Sequence, residues 1–224
     1  MQNQNETDGI ARTINDFIQK HRKPILISAG AVILLLILSA AAFSLIDVFR
    51  GRAISAVEDL SNRYETLRYA INEEYMERDI AELLADTESF AKKNSSYAGG
   101  KAWSIIGSIY SEKKDWEKAE DAWVSAAGKS EKNYLAPIAW FNAGIAAEQQ
   151  EKPQQAIDHY AKSLSATAGF AAAPRAQFAI GRLRETLNEK DAAIAAYRAV
   201  IAGWPYDSAW TNLARSRIIM LELQ

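Results

Sequence analysis

Side chains that could do chemistry are sparse in this chain. There are two histidines, His21 and His159, and no cysteine. A metal centre needs ligands that converge, most simply two histidines one helical turn apart. Neither histidine has a histidine four residues on, and neither stands beside an acidic pair of ligand spacing. His159, next to Tyr160, reads as a surface residue of a helix. The lack of cysteine removes disulfides, thiol catalysis, thiolate metal sites and lipid attachment to an N-terminal cysteine. Gly99 and Gly100 open a helix and do not make a phosphate-binding loop. Asn94-Ser95-Ser96 fits a glycosylation sequon, which matters only on a eukaryotic secretory route. The expectation is a protein that is not an enzyme, with no metal and no cofactor.

The elements that position the remaining residues are easier to read. Among 224 residues, 49% are hydrophobic and 24% charged, the composition of a globular protein rather than a disordered one. The net charge of -2 gives no electrostatic footprint for nucleic acid.

Pro24 to Ile46 is an uncharged run of 23 residues. As a helix it reaches about 34 Å, enough for a hydrocarbon core of about 30 Å. It reads as a transmembrane helix in contact with lipid. A cleaved signal peptide, cut after Ala42 in Ser39–Phe43, is the competing reading. The residues ahead of the run are many for a signal sequence, and the apolar stretch continues past the cleavage point. Lys20, Arg22 and Lys23 crowd the N-terminal edge, with Arg12 behind them. Arg50 and Arg52 lie on the other side. The bias places residues 1–23 in the cytoplasm and the rest across a bacterial inner membrane, in the periplasm. Ile10, Ile14, Phe17 and Ile18 recur at helical spacing behind Asp8, as in a helix lying on the inner membrane face or docking a cytoplasmic partner.

Beyond the span, Ala53, Val57, Leu60, Tyr64, Leu67 and Ile71 step by threes and fours. They predict an amphipathic stalk helix over residues 47–78, with Gly51 as a bend and the apolar stripe packed within the chain. From residue 79 to 224 a repeat takes over. Gly107, Gly144 and Gly181 are 37 apart, as are Ala119, Ala156 and Ala193, and Trp123, Tyr160 and Tyr197. Three position classes on one period mean stacked units of helix, tight turn and helix. Glycine lies where two helices touch, and the later aromatic fills the space between them.

This pattern resembles the tetratricopeptide repeat family. Trp103, Ile106, Gly107 and Tyr110 fit its first helix, and Ala119, Trp123 and Ala126 its second. The next unit keeps Trp140, Gly144, Ala156 and Tyr160, and the third keeps Ile180, Gly181, Ala193, Tyr197 and Pro205. Ala147, Gln177 and Arg184 depart from the aromatic positions. The period exceeds the family's 34 by three, and the excess falls between units, ahead of Pro137 and Pro174. Trp210 and Leu213 begin a capping helix, and residues 82–103 look like the second helix of a degenerate first unit. The fold expected is all-α: one transmembrane helix, a stalk and an α-solenoid.

The resemblance implies a protein-binding groove lined by first helices. By register it gives Lys101, Ser104 and Ser108 from the first unit and Phe141, Ile145 and Gln149 from the second. Arg175, Phe178 and Arg182 come from the third, and Arg215 from the cap. Such a mix suits an extended peptide, provided that Phe141 and Phe178 are not covered by the stalk. The lysine and asparagine positions of the family's chaperone-tail clamp are Ser104 and Ser108 here, so that clamp is not reproduced. The overall layout resembles the ancillary subunit of the bacterial Sec translocon. That implies a scaffold in protein translocation or envelope assembly, with the translocon or periplasmic chaperones as partners. Two other readings stand beside it: an assembly factor for a fixed envelope complex, and a small-molecule sensor or solute-binding accessory protein with its ligand between stalk and repeats.

Overall fold

The computed structural model describes residues 2–69, 73–131, 133–166 and 170–223. Among the described residues there are nine α-helices and no strand: α1 (Gln2–Arg68), α2 (Glu73–Lys93), α3 (Tyr97–Glu112), α4 (Trp116–Lys129), α5 (Leu135–Gln149), α6 (Pro153–Ser165), α7 (Ala173–Thr186), α8 (Lys190–Gly203) and α9 (Ser208–Glu222). The chain divides into two compact units, Met1–Arg52 and Ala53–Gln224.

The first unit is helical. Pro24 lies inside α1, and the backbone leaves helical geometry at His21 (φ -110°, ψ 15°). Proline lacks the amide donor and presses its ring toward the carbonyl one turn earlier, which accounts for a kink at this point. Past it the helix is apolar and exposed on every side, with Leu26, Leu36 and Phe49 each more than half exposed. It is long and apolar enough to cross a membrane. The side chains of Asp8, Ile10, Ile14 and Ile18 lie outside the described residues. Phe17 is exposed, with its ring 4.6 Å from that of His21.

The second unit is a stack of helix pairs. Val57, Leu60 and Tyr64 of α1 are buried with Leu83 of α2 and with Ala98, Ala102 and Ile105 of α3. The sequence periodicity carried this helix to residue 78; it ends at Arg68, and Ile71 lies outside the described residues. The helix α2 packs against this part of α1, with Arg63 meeting Asp86 at 2.9 Å. The last turns of α1 are thus the first helix of a leading pair. Glu58 meets Lys101 at 2.6 Å and Arg68 meets Glu112 at 2.8 Å, so α1 and α3 run parallel, as successive first helices must in a stack.

The three pairs that follow share their inner construction. A β-carbon on Gly107 would lie 2.7 Å from the Trp123 ring; on Gly144 or Gly181 it would lie 2.6 Å from Tyr160 or Tyr197. Only glycine lets the paired helices close this far. The turns match as well. Lys114, Glu151 and Asn188, 37 apart, all have φ of 58–59°. In each turn the amide of that residue bonds the carbonyl three residues back, and the next amide bonds the one five back. Between pairs, Ala119, Ala126, Ala127, Ala139, Ala143 and Ala146 are buried together, small enough for α4 and α5 to pack closely.

Candidate binding groove

The first helices α5 and α7, with α9, enclose a concavity of about 260 Å³. Phe141, Ile145 and Gln149 line it from α5, Arg175, Phe178 and Arg182 from α7, and Trp210 from α9. The α5 and α7 positions follow from helical spacing, because residues three and four apart share a face. Among the described residues, the clusters that hold Phe141 and Phe178 contain none from α1. Phe141 is 7% exposed, with its ring against Tyr160 at 5.5 Å and Phe170 at 5.8 Å. Phe178 packs against Tyr197 at 5.0 Å and Trp210 at 5.4 Å. The Arg175 guanidinium stands over the Phe141 ring at 5.3 Å.

A polar seam runs along the concavity. The Tyr160 hydroxyl donates to Glu148 at 2.6 Å, and Arg182 of the next pair donates to the same carboxylate. One unit on, Glu185 accepts from Tyr197 and from Arg217 of α9. At the other end Glu112 accepts from Tyr64 at 2.8 Å and from Arg68. Each acid therefore ties a tyrosine to an arginine. Burial, then the bond to the neighbouring carboxylate, push the Tyr64, Tyr160 and Tyr197 hydroxyls well above the ordinary tyrosine range. Burial works to raise the Glu185 carboxyl, but hydrogen bonds from Arg217 and Tyr197 outweigh it, so its pKa lies below the ordinary value.

The predicted residues of the first unit sit elsewhere. Lys101 is engaged by Glu58 of α1, and the Ser104 hydroxyl donates to the Gly100 carbonyl at 3.0 Å. Ser108 lines a second concavity of about 400 Å³ with Tyr64, Arg68, Trp116, Asn142 and Ile145. Ile145 lines both concavities. Arg215 is exposed and lines neither; Trp210 is the α9 residue that does. The seam acids escaped the sequence reading although Glu148 and Glu185 keep the 37-residue period.

His159 is not a surface residue. It is 6% exposed, its Nε2 lies 2.7 Å from Glu120 of the preceding pair, and its ring stacks on Trp140 at 5.5 Å. Glu120, itself 5% exposed, also accepts from Gln150 at 2.8 Å and from Gln155. The buried acid is thus satisfied by three donors, as burial of a carboxylate requires. Its partner stands 39 residues away in sequence, which hid the pair from spacing rules. Among the described residues no group of three or more potential ligands could hold a metal.

The family model for the tetratricopeptide repeat matches residues 107–169 and 165–208. A protein of Treponema pallidum (strain Nichols) described as TPR repeat-containing is 29% identical over 230 residues, covering 96% of this chain and 95% of that protein.

Proposed function

We propose, for a chain whose residues 107–169 and 165–208 match the tetratricopeptide repeat family model, the role of a membrane-anchored scaffold whose repeat domain faces the periplasm. Repeats of this family are protein-interaction scaffolds, and stacked helix pairs offer their partners an extended concave surface. The observation that carries the reading is the concavity between α5, α7 and α9. It combines Ile145, Phe178 and Trp210 with Arg175, Arg182 and Gln149. Apolar side chains give a partner area to bury, and the polar rim supplies hydrogen bonds that set register.

The anchor is the exposed apolar stretch of α1, and the cluster Lys20, Arg22 and Lys23 before it favours a cytoplasmic N-terminus. A scaffold so placed would serve protein translocation or envelope assembly at the inner membrane, with exported chains, the translocon or periplasmic chaperones as its partners.

Co-purification from native membranes tests the reading. The wild-type chain is compared with a variant carrying Ile145→Asp and Phe178→Asp. Loss of co-purifying proteins in the variant, with helicity retained, is the expected result. Recovery of one fixed set of envelope proteins would assign the chain to a particular complex. An unchanged set in wild type and variant would remove the concavity from the account.

A further inference from the structure

We infer that the concavity selects an internal peptide segment carrying an apolar side chain with a side-chain carboxylate within two residues of it. The inference rests on the reading of this concavity as the partner-binding face.

Charge accounting supplies the first argument. Among the described residues of the second unit there are nine arginines, and seven are within 4 Å of a carboxylate: Arg63, Arg68, Arg78, Arg182, Arg184, Arg198 and Arg217. Arg175 and Arg215 have no such ion pair, and of these two Arg175 lines the concavity. Among the described residues the only acid lining that space, Glu148, is already held by Tyr160 and Arg182. A binding partner therefore meets one uncompensated cation, steadied over the Phe141 face and aimed beside an apolar floor.

Continuity supplies the second argument. Ile145 lines this concavity and the second one, so a bound chain can run on past α5 toward Asn142 and Ser108. The two concavities meet at Ile145. Nor does the second concavity add an unpaired cation, because Arg68 is bound to Glu112. The carboxylate demand is thus confined to Arg175, beside the pocket that takes the apolar side chain.

The test is selection from a random library of 12-residue segments displayed between two folded domains, so that no chain end is free. The full chain in detergent micelles is the bait, as wild type and as Arg175→Glu. Arg175 is exposed and makes no ion pair, so the variant is expected to keep its helicity and its melting temperature. Wild type should enrich segments with an aromatic or large aliphatic residue and Asp or Glu within two positions. Arg175→Glu should lose that preference and weaken binding of the best acidic segment by roughly tenfold. Enrichment of apolar segments indifferent to charge, or equal in both baits, would overturn the inference and leave the groove reading standing. No enrichment over a bait carrying Ile145→Asp and Phe178→Asp would overturn both.

Discussion

The ring of Tyr160 occupies the space that a β-carbon on Gly144 would need, its nearest atom lying 2.6 Å from that position. Gly107 with Trp123 and Gly181 with Tyr197 repeat the relationship. Alanine would gain about 1 kcal/mol of helix propensity over glycine. At Gly144 it must also push a buried ring out of its well, and overpacking of this kind costs about 1–3 kcal/mol. Gly144→Ala is therefore predicted to lower stability. Gly128→Ala, where nothing lies within 4 Å, should raise it slightly. Urea denaturation of the full chain in micelles separates the two.

The left-handed turns make a second prediction. Glu151 holds φ at 59°, where a β-carbon is crowded, as do Lys114 and Asn188. Glu151→Gly should stabilise the second unit by up to about 1 kcal/mol. Asn188→Gly should gain less, because asparagine tolerates this region already. Equal gains at both positions would argue against backbone strain as the cause.

Glu185 sets a pH dependence. Its carboxyl titrates lower in the folded chain than in the unfolded one, so it adds stability above its unfolded value of about 4.5 and loses it as the pH falls through the folded value. The stability of the wild-type chain is predicted to drop below about pH 4.5. Glu185→Gln should flatten that part of the profile, and Arg217→Met should reduce it. A denaturation series from neutral to acid pH checks both variants.

The Glu120–His159 contact is a fourth test, since it ties one helix pair to the next. Glu120→Ala leaves the buried His159 without its partner, while Gln150 keeps the Trp116 and Ala146 carbonyls and Gln155 is exposed, a loss of about 2 kcal/mol. His159→Leu should cost less, because Gln150 and Gln155 still satisfy the acid. A double-mutant cycle on the two positions should give a non-additive result.

How far these features were legible depends on their range in sequence. The glycine, alanine and aromatic periods showed the helix pairs because each pair is built from contacts inside one repeat. Phe141, Ile145, Gln149, Arg175, Phe178 and Arg182 share a concavity because register along two first helices is a local property. Lys101 was read as a groove residue, yet it pairs with Glu58, 43 residues earlier, on a helix outside the repeat period. His159 was misplaced for the same reason, with its acid one unit away. Arg215 was placed by register, but α9 lacks a glycine at the repeat position, where Ile218 stands, and Trp210 reaches the concavity instead. Spacing within one helix was readable; charge pairs between helices were not.

The proposed membrane orientation has a direct check, because the chain has no cysteine of its own. Gln4→Cys and Asp191→Cys, made singly, are exposed to a membrane-impermeant maleimide in intact inner-membrane spheroplasts. Labelling at position 191 and protection at position 4 is the predicted outcome. The reverse pattern would place the repeat domain in the cytoplasm.

The central claim is that the concavity of α5, α7 and α9 holds a protein partner, and site-specific photo-crosslinking in native membranes tests it most directly. Probes replace Ile145, Phe178 and Arg182, with control probes at the exposed positions Asp121 of α4 and Asp191 of α8. Adducts are identified by mass spectrometry. The account predicts protein adducts at the three groove positions and few at the controls. Adducts no more frequent in the groove than at Asp121 and Asp191 would contradict it.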